Sequence, residues 1–598
     1  MDSNKPKELL YLCQMAILSG LMLVPLLPIG MHLSTESPLY YLFIILHLGI
    51  LLYTLLGATK SVLSLLAQES TIYRVSFTSI FSLATLYIVL QALLPVTVTD
   101  ALIHHIAVPN WWARENYISE IPWHNWSYYP PLIHLAITGL FELGLGNYAA
   151  LYHACYLFIF CGILAHFVRW KTDENKVALI TYLVALTLPI AFRLATSPLV
   201  DLPLALFFGI AFVLAIYSVE EGVSTKLILL VGMALGLAFS TKYNSLPGML
   251  AFVFGMIVFT IRRGQSPKNV IINTATISIV ALLISTAWLY RNFELTGNPI
   301  YPLFQNLFPL KHDVLSGLPD LKPIEKRMLY YGESFFDLVL IPVRMIFFGQ
   351  DHQPRHFDGT LSPLLVFLFL PLLQIRKRPW IMFSFIFSGF YFVITLFEAG
   401  ARIRYLTPIA LPLFSLAAVG LFSFLLFIKN QRVRNISLLF LLVAHFGLAA
   451  KYCSNELKQS ETLTYFTTNQ TKEDYLRHKI SVYPMIELVN KALPPNSKTY
   501  LVYTGNRFFY YKNEVLGGYH SGALIINSLK NGIPLEKAFR EAGVTHMLAH
   551  KARLLSVLKT QLNDQEKINW DIFLARHLQT IKEDSTFILW KVNVLESI

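Results

Sequence analysis

Charge is scarce in this chain. Only 14% of its 598 residues are Asp, Glu, Lys or Arg, where a soluble domain carries about 25%. That deficit excludes an ordinary water-soluble domain for most of the length. Cysteine is scarcer still: Cys13, Cys155, Cys161 and Cys453 are the only four, and no two form a CxxC pair. A disulfide framework and a thiolate metal site are therefore both excluded. The chain has no Gly-rich phosphate loop, no clear internal repeat and no small-x-small cleavage site behind its basic, apolar start. The first residues thus read as a retained span rather than a removed signal. The net charge of +12 comes with no nucleic-acid-binding module, so no nucleic acid is expected as a partner.

What the chain does have is apolar length. Hydrophobic residues make up 55%, with 43 Phe and 30 Tyr, a composition suited to membrane interiors and interfaces. A span needs about 20 mostly apolar residues. Such stretches lie near 9–30, 39–57, 75–95, 148–168, 177–195, 202–218, 226–241, 245–261, 270–290, 361–375, 380–397, 405–427 and 434–452. The expected fold is an all-α polytopic membrane protein of about 13 spans. With the N-terminus cytoplasmic, the short basic connections at Lys60 and Arg74, Arg169–Lys176, Lys226, Arg262–Lys268, Arg376–Arg378 and Lys429–Arg434 all fall inside. That distribution obeys the positive-inside rule. The long connections 96–147 and 291–360 then fall outside, as does the polar C-terminal stretch. In that stretch short strand-like runs (KTYLVYT, RFFYYKN, VTHMLAH, TFILWKV) alternate with helical ones (LIINSLKNG, LEKAFREAG). The pattern predicts a small extramembrane α/β domain over 453–598, covering the outer face or helping to bind an acceptor.

The same threading brings Asp100, Asp201, Lys242, Glu398, Arg402 and Arg404 to the outer face. Ionisable groups in such segments are costly and mark functional sites. Asp100 sits where the third span leaves the bilayer, positioned to act as a general base towards a hydroxyl. His104 and His105 follow within about a turn as candidates for binding phosphate or a divalent metal, with Asp100 and His105 the candidate metal ligands. Neighbours on a helix point apart, so at most one of the two histidines should face the site. Lys242, Arg402 and Arg404 are the candidate phosphate-binding cations. Asp201 would orient a substrate hydroxyl or pair with Arg193, and Tyr405 would line the substrate path. The polar segment Phe347–Asp358 reads as a gate or an ordinary loop.

DALIHH at Asp100, IAVPNWW with Pro109, and YYPP at 128–131 make up a first group of short marks. SPLVDLPLA around Asp201, GLAFSTKYNSLP around Lys242, GNPIYPLF at Asn298–Pro302, FDGTLSPL at 357–364 and ARIRYLTPIALPL at 401–413 follow in order. Together they resemble the GT-C class of membrane glycosyltransferases. The nearest likeness is to relatives of the dolichyl-phosphate-mannose-protein mannosyltransferases and the RgtA-to-D-like lipopolysaccharide sugar transferases. The resemblance covers about 75–425. It divides the chain into two added N-terminal helices (1–74), a GT-C-like core (75–452) and the C-terminal domain. It implies a polyprenyl-phosphate-sugar donor, an envelope glycan, lipid or protein acceptor, the bacterial cytoplasmic membrane, and Asp100 as base. Many relatives carry Asp-Glu where this chain has Asp100-Ala101, which leaves the need for a metal open. One carboxylate suffices chemically, because a phosphate leaving group needs no proton, unlike a glycoside alcohol. The rival classes are a transporter or flippase, which would place its charges at the bilayer midplane between repeated halves, and a non-catalytic envelope assembly protein.

Overall fold

The computed structural model describes residues 6–222, 224–308, 322–517 and 522–594. Residues 309–321 of the expected second long loop lie outside the described residues. The chain is a multi-pass helical membrane protein with a small strand-containing domain at its C-terminal end. Among the described residues ten helices are long and apolar enough to cross a membrane, or eleven if one bent pair is a single span.

All thirteen apolar stretches form helices, but not all are full spans. The 177–195 stretch is broken into Asn175–Leu186 and Pro189–Ala195, bent by 61°. Pro189 lacks the N–H to continue the ladder, and the residue before it is driven to extended geometry. Thr225–Phe239 is only 15 residues long. Pro363–Gln374 is wound as a tight 3₁₀ helix with Pro371 inside it. The stretches 226–241 and 361–375 are already shorter than the about 20 residues a span needs, whereas the bend and the 3₁₀ winding are not visible in the apolar pattern.

Local chemistry explains where the long helices begin. Pro38–Leu66 and Pro267–Thr296 each start on a Ser-Pro pair, in which Ser37 and Ser266 accept the N–H of Tyr40 and Asn269 at 3.3 Å. Proline at the first turn loses nothing, since its missing N–H would have no partner there. Burial then sorts the helices. Asp201–Glu221 has 94% of its apolar stretch buried, whereas Gln431–Gln459 has 11%. The first is therefore the centre of the bundle and the second faces lipid. Gly232 and Gly236 allow Thr225–Phe239 to lie directly on Pro267–Thr296, since a Cβ on them would meet Ile277 O and Ala281 O at 3.0 and 2.9 Å. Small residues at such spacing are how membrane helices gain packing where no hydrophobic force separates them from lipid. The two N-terminal helices pack into the same bundle, Lys7–Leu21 against Pro38–Leu66, Ala149–Thr172 and Thr225–Phe239.

The terminal domain holds five strands: β1 (Lys498–Val502), β2 (Glu514–Leu516), β3 (His546–His550), β4 (Leu578–Glu583) and β5 (Phe587–Val592). Their order is β2-β1-β3-β5-β4, with β1 parallel to β2 and β3, and β5 antiparallel to β3 and β4. RFFYYKN does not form a strand. Phe508–Tyr510 is a single 3₁₀ turn whose side chains are spent on the membrane bundle: Phe508 packs on Trp123 with ring centroids 5.1 Å apart, and Tyr510 donates to Val96 O at 2.7 Å.

Candidate active site

Asp100 follows the Thr71–Ala92 helix and opens a π-helical turn, Ala101–His105. Such wide turns are rare and tend to occur at functional sites. The turn is closed by Ile106 N–H to Ala101 O at 3.0 Å, and His124 Nε2 lies 2.8 Å from the Ile103 carbonyl. The first outer segment is fixed from outside as well. Buried Arg291 donates to Ser127 O and Ser119 O, each at 3.3 Å, and Asn292 donates to Tyr128 O at 2.8 Å. Tyr128 and Tyr129 are thereby held in place, packed on Tyr301 and Tyr243.

The wider winding also alters the histidine pair. Their rings lie side by side at 3.8 Å instead of pointing apart. His105 Nδ1 is 3.0 Å from His134 Nε2, and the His104 ring stacks near Trp126 at 5.8 Å. Burial pushes both imidazoles well below the usual histidine range; for His104 the Asp100 charge opposes this without prevailing. Both rings are neutral near pH 7, so the positive charge at this end comes from Arg and Lys.

Arg404 Nη1 meets Asp100 Oδ2 at 2.5 Å. Burial raises the Asp100 carboxyl, but Arg404, with help from Lys242, outweighs it and leaves it below the ordinary carboxylate value. Arg404 is mostly buried, with a side chain 13% exposed, and its Nε has no hydrogen-bond partner among the described residues. Tyr405 gathers the other cations: Lys242 and Arg402 lie 5.6 Å from its ring centre and Arg404 5.3 Å. Attraction of cations to a ring face is worth about 0.5–2 kcal/mol each, which offsets part of their mutual repulsion.

The carboxylates pair differently from the sequence expectation. Asp201 pairs with Lys242 at 2.8 Å rather than with Arg193. Arg193 instead reaches Asp358 at 2.9 Å and Asp351 at 3.5 Å, and Arg402 stands 3.8 Å from Asp358. Burial raises Asp358, but Arg193, Arg404 and Arg402 hold its carboxyl below the usual range. With Tyr452 donating to Asp351 at 2.6 Å, the 347–358 segment is a pinned wall of the site. Glu398 joins none of these pairs.

Asp201 is 1% exposed and its second oxygen has no partner among the described residues. Removing one member of a buried pair strands the other charge, at a cost of about 3–5 kcal/mol. Asp201→Asn and Lys242→Met alone are therefore expected to lower the melting temperature in lipid more than the two combined. A double variant no more stable than either single one would contradict this coupling.

Asp100, Arg402 and Arg404 line one cavity of about 410 Å³ together with Arg193, His352 and Asp358. Lys242, Asp201 and Tyr405 do not line it; Lys242 lies over the Tyr405 ring and pairs with Asp201. Arg507 was not among the sequence candidates. It comes from the C-terminal domain on the loop Tyr503–Arg507, where Tyr503, Gly505 and Asn506 all have positive φ. Burial lowers Arg507 from the usual arginine value and the Asp100 charge opposes that, and its Nε has no partner among the described residues. No local sequence signal marks it, because only the domain's docking brings it to Asp100.

Asp100 and His105, the candidate metal ligands, are each engaged elsewhere as the side chains stand. Arg404 occupies the carboxylate, His105 faces His134, and among the described residues no group of three or more His, Cys, Asp or Glu side chains is arranged to hold a metal ion.

This architecture, a helical bundle with charged residues gathered at one end and capped by a small domain, is that of the GT-C membrane fold. Apo ArnT from Cupriavidus metallidurans shares it with a TM-score of 0.52 at 13% identity, over 87% of this chain and 98% of that one. ArnT bound to undecaprenyl phosphate gives 0.47 at 14% identity over the same shares. The Archaeoglobus fulgidus oligosaccharyltransferase in its apo form gives 0.44 at 13%, over 81% of this chain and 70% of that one. A family model described as a domain of unknown function, DUF8201, matches residues 135–411. No curated protein sequence matches the chain. At such identities the likeness establishes the fold alone.

Proposed function

We propose that the chain is a membrane glycosyltransferase that moves a sugar from a polyprenyl-phosphate carrier to a hydroxyl of an envelope glycan, lipid or protein. The observation that carries this reading is Arg404, which holds Asp100 with one nitrogen and has a second, buried donor without a partner among the described residues. A base and a phosphate-binding cation thus share one residue pair.

An apolar groove of about 830 Å³ supports a lipid donor. It runs between the Thr71–Ala92 and Gln431–Gln459 helices, lined by Leu83, Leu90, Phe446 and Leu457, and Tyr87 borders both it and the charged cavity. A prenyl chain fits the groove while its phosphate reaches Arg402 and Arg404. ArnT, which shares the fold, has been crystallised with undecaprenyl phosphate.

In the reaction the acceptor oxygen attacks the anomeric carbon in line, and the bond from that carbon to the phosphate oxygen breaks. The phosphate leaves with the electron pair. Asp100 takes the acceptor proton, and the anomer inverts. Arg404 fixes the carboxylate before substrate arrives and turns its free N–H groups to the phosphate as charge develops there. Donors aimed at developing charge are usually the largest single term in such catalysis. Sharing Arg404 with phosphate relaxes its hold on Asp100 and restores basicity when it is needed. Placing the charged end outward, as the basic loops require, makes the active face and the 453–598 domain periplasmic in a bacterium, with the N-terminus cytoplasmic. In this reading 1–74 is an addition to a 75–452 core.

Purified protein in lipid is expected to transfer label from one member of a panel of radiolabelled polyprenyl-phosphate sugars to envelope glycolipid extract. No transfer from any donor, in an extract that a second enzyme can glycosylate, overturns the reading in favour of a transporter or assembly protein.

A further inference from the structure

A second cleft, of about 670 Å³, lies between the first outer segment and the edge of the terminal sheet. Its walls include Trp111 and Trp123 on one side and Lys498, Glu514 and Glu541 on the other. We infer that this cleft is a binding site for the carbohydrate part of the acceptor, an inference that rests on the proposed glycosyltransfer.

The cleft is built rather than incidental. Arg114, at the end of the Ala107–Glu115 helix, donates to the carbonyls of Tyr511 (3.2 Å) and Lys512, clamping the two walls together. Trp111 and Trp123 stand edge to face with centroids 6.0 Å apart. Trp111 is held by its own N–H, which donates to Glu115 Oε1 at 2.6 Å, and Trp123 is backed by Phe508. Glu120 is oriented by Tyr128, which donates to it at 2.5 Å. A sugar ring offers an apolar C–H face and a rim of hydroxyls. Rigid indole faces suit the first, and carboxylates, which only accept hydrogen bonds, suit the second.

Charge and shape select among other occupants. Glu115, Glu120, Glu514 and Glu541 outnumber Arg114 and Lys498 along the cleft, which disfavours an anionic lipid surface. The edge strand β2 has three residues, too few for strand addition by a peptide. An uncharged stretch of glycan meets both conditions.

The cleft also leads towards the base. Phe508, behind Trp123, adjoins Arg507, the residue that feels the Asp100 charge. His124, next to Trp123, lies against the carbonyl of Ile103 in the Asp100 turn. The acceptor hydroxyl can thus approach Asp100 from this side while the donor lipid occupies the other.

The test is saturation-transfer NMR on full-length protein in lipid nanodiscs. The probe is the lipid-free oligosaccharide released by mild acid from the envelope of the organism that makes the protein. Binding by the wild type is expected, with at least a tenfold loss of affinity in Trp111→Ala and in Glu115→Gln and unchanged retention of radiolabelled polyprenyl phosphate. Absence of binding by the wild type, or full binding by both variants with normal melting temperatures, overturns the inference. Because this readout needs no turnover, glycan binding without any sugar transfer keeps the cleft and sinks the glycosyltransfer reading instead.

Discussion

Asp100→Asn is expected to lower sugar transfer by about 10²–10⁴-fold, the usual contribution of a positioned general base. The variant should remain folded, because asparagine keeps the shape and one oxygen for Arg404, and the side chain stands at the cavity wall rather than in the packed centre. Its affinity for the donor lipid should hold or rise, since Arg404 no longer has a competing carboxylate. The informative measurement is therefore transfer and donor retention on the same sample. Loss of both would mean that Asp100 organises the site rather than accepting a proton. Transfer at the wild-type rate would move the base elsewhere, with Asp358 the next carboxylate on the same cavity wall.

The apolar stretches were all legible in the sequence because lipid exposure and core burial leave the same mark, a run of apolar residues. Breaks and rewinding within those stretches were not legible. The break at Leu188-Pro189 and the 3₁₀ winding of Pro363–Gln374 depend on proline placement and packing. The site was readable where charge stands out against an apolar background, as with Asp100, Arg402 and Arg404. Pairing was not readable. Asp201 takes Lys242 rather than Arg193 because Arg193 is captured by Asp351 and Asp358, from a loop more than a hundred residues further along the chain. The side-by-side placement of the His104 and His105 rings was not readable either, because the backbone takes a π-turn where an ordinary helical step holds neighbouring rings apart. In the C-terminal domain, the run RFFYYKN has the aromatic content of a strand, yet Phe508 and Tyr510 serve docking and not the sheet. Tertiary context overrides strand propensity most easily at such half-buried surfaces.

Arg404→Gln separates the two duties assigned to Arg404, and the pH profile tells them apart. Loss of a donor aimed at the leaving phosphate is expected to cost about 10²–10³-fold in turnover at neutral pH. Loss of the charge beside Asp100 should also change where activity fails in acid. In the wild type Arg404 is the largest of the effects that lower the Asp100 carboxyl against the burial that raises it. The ionised base therefore persists to low pH, and activity is lost only as pH falls through that depressed value. Without Arg404, the charge that opposes burial is left to Lys242 and Arg507. The carboxyl then titrates higher, and the acid limb of the profile moves to higher pH. Arg404→Lys should restore the acid limb, because a lysine supplies the charge. It should recover turnover only in part, since a single ammonium lacks the planar fork that can hold a carboxylate and a phosphate at once. An Arg404→Gln enzyme that loses turnover with an unmoved acid limb would show that Arg404 serves the phosphate alone and that another group sets the basicity of Asp100.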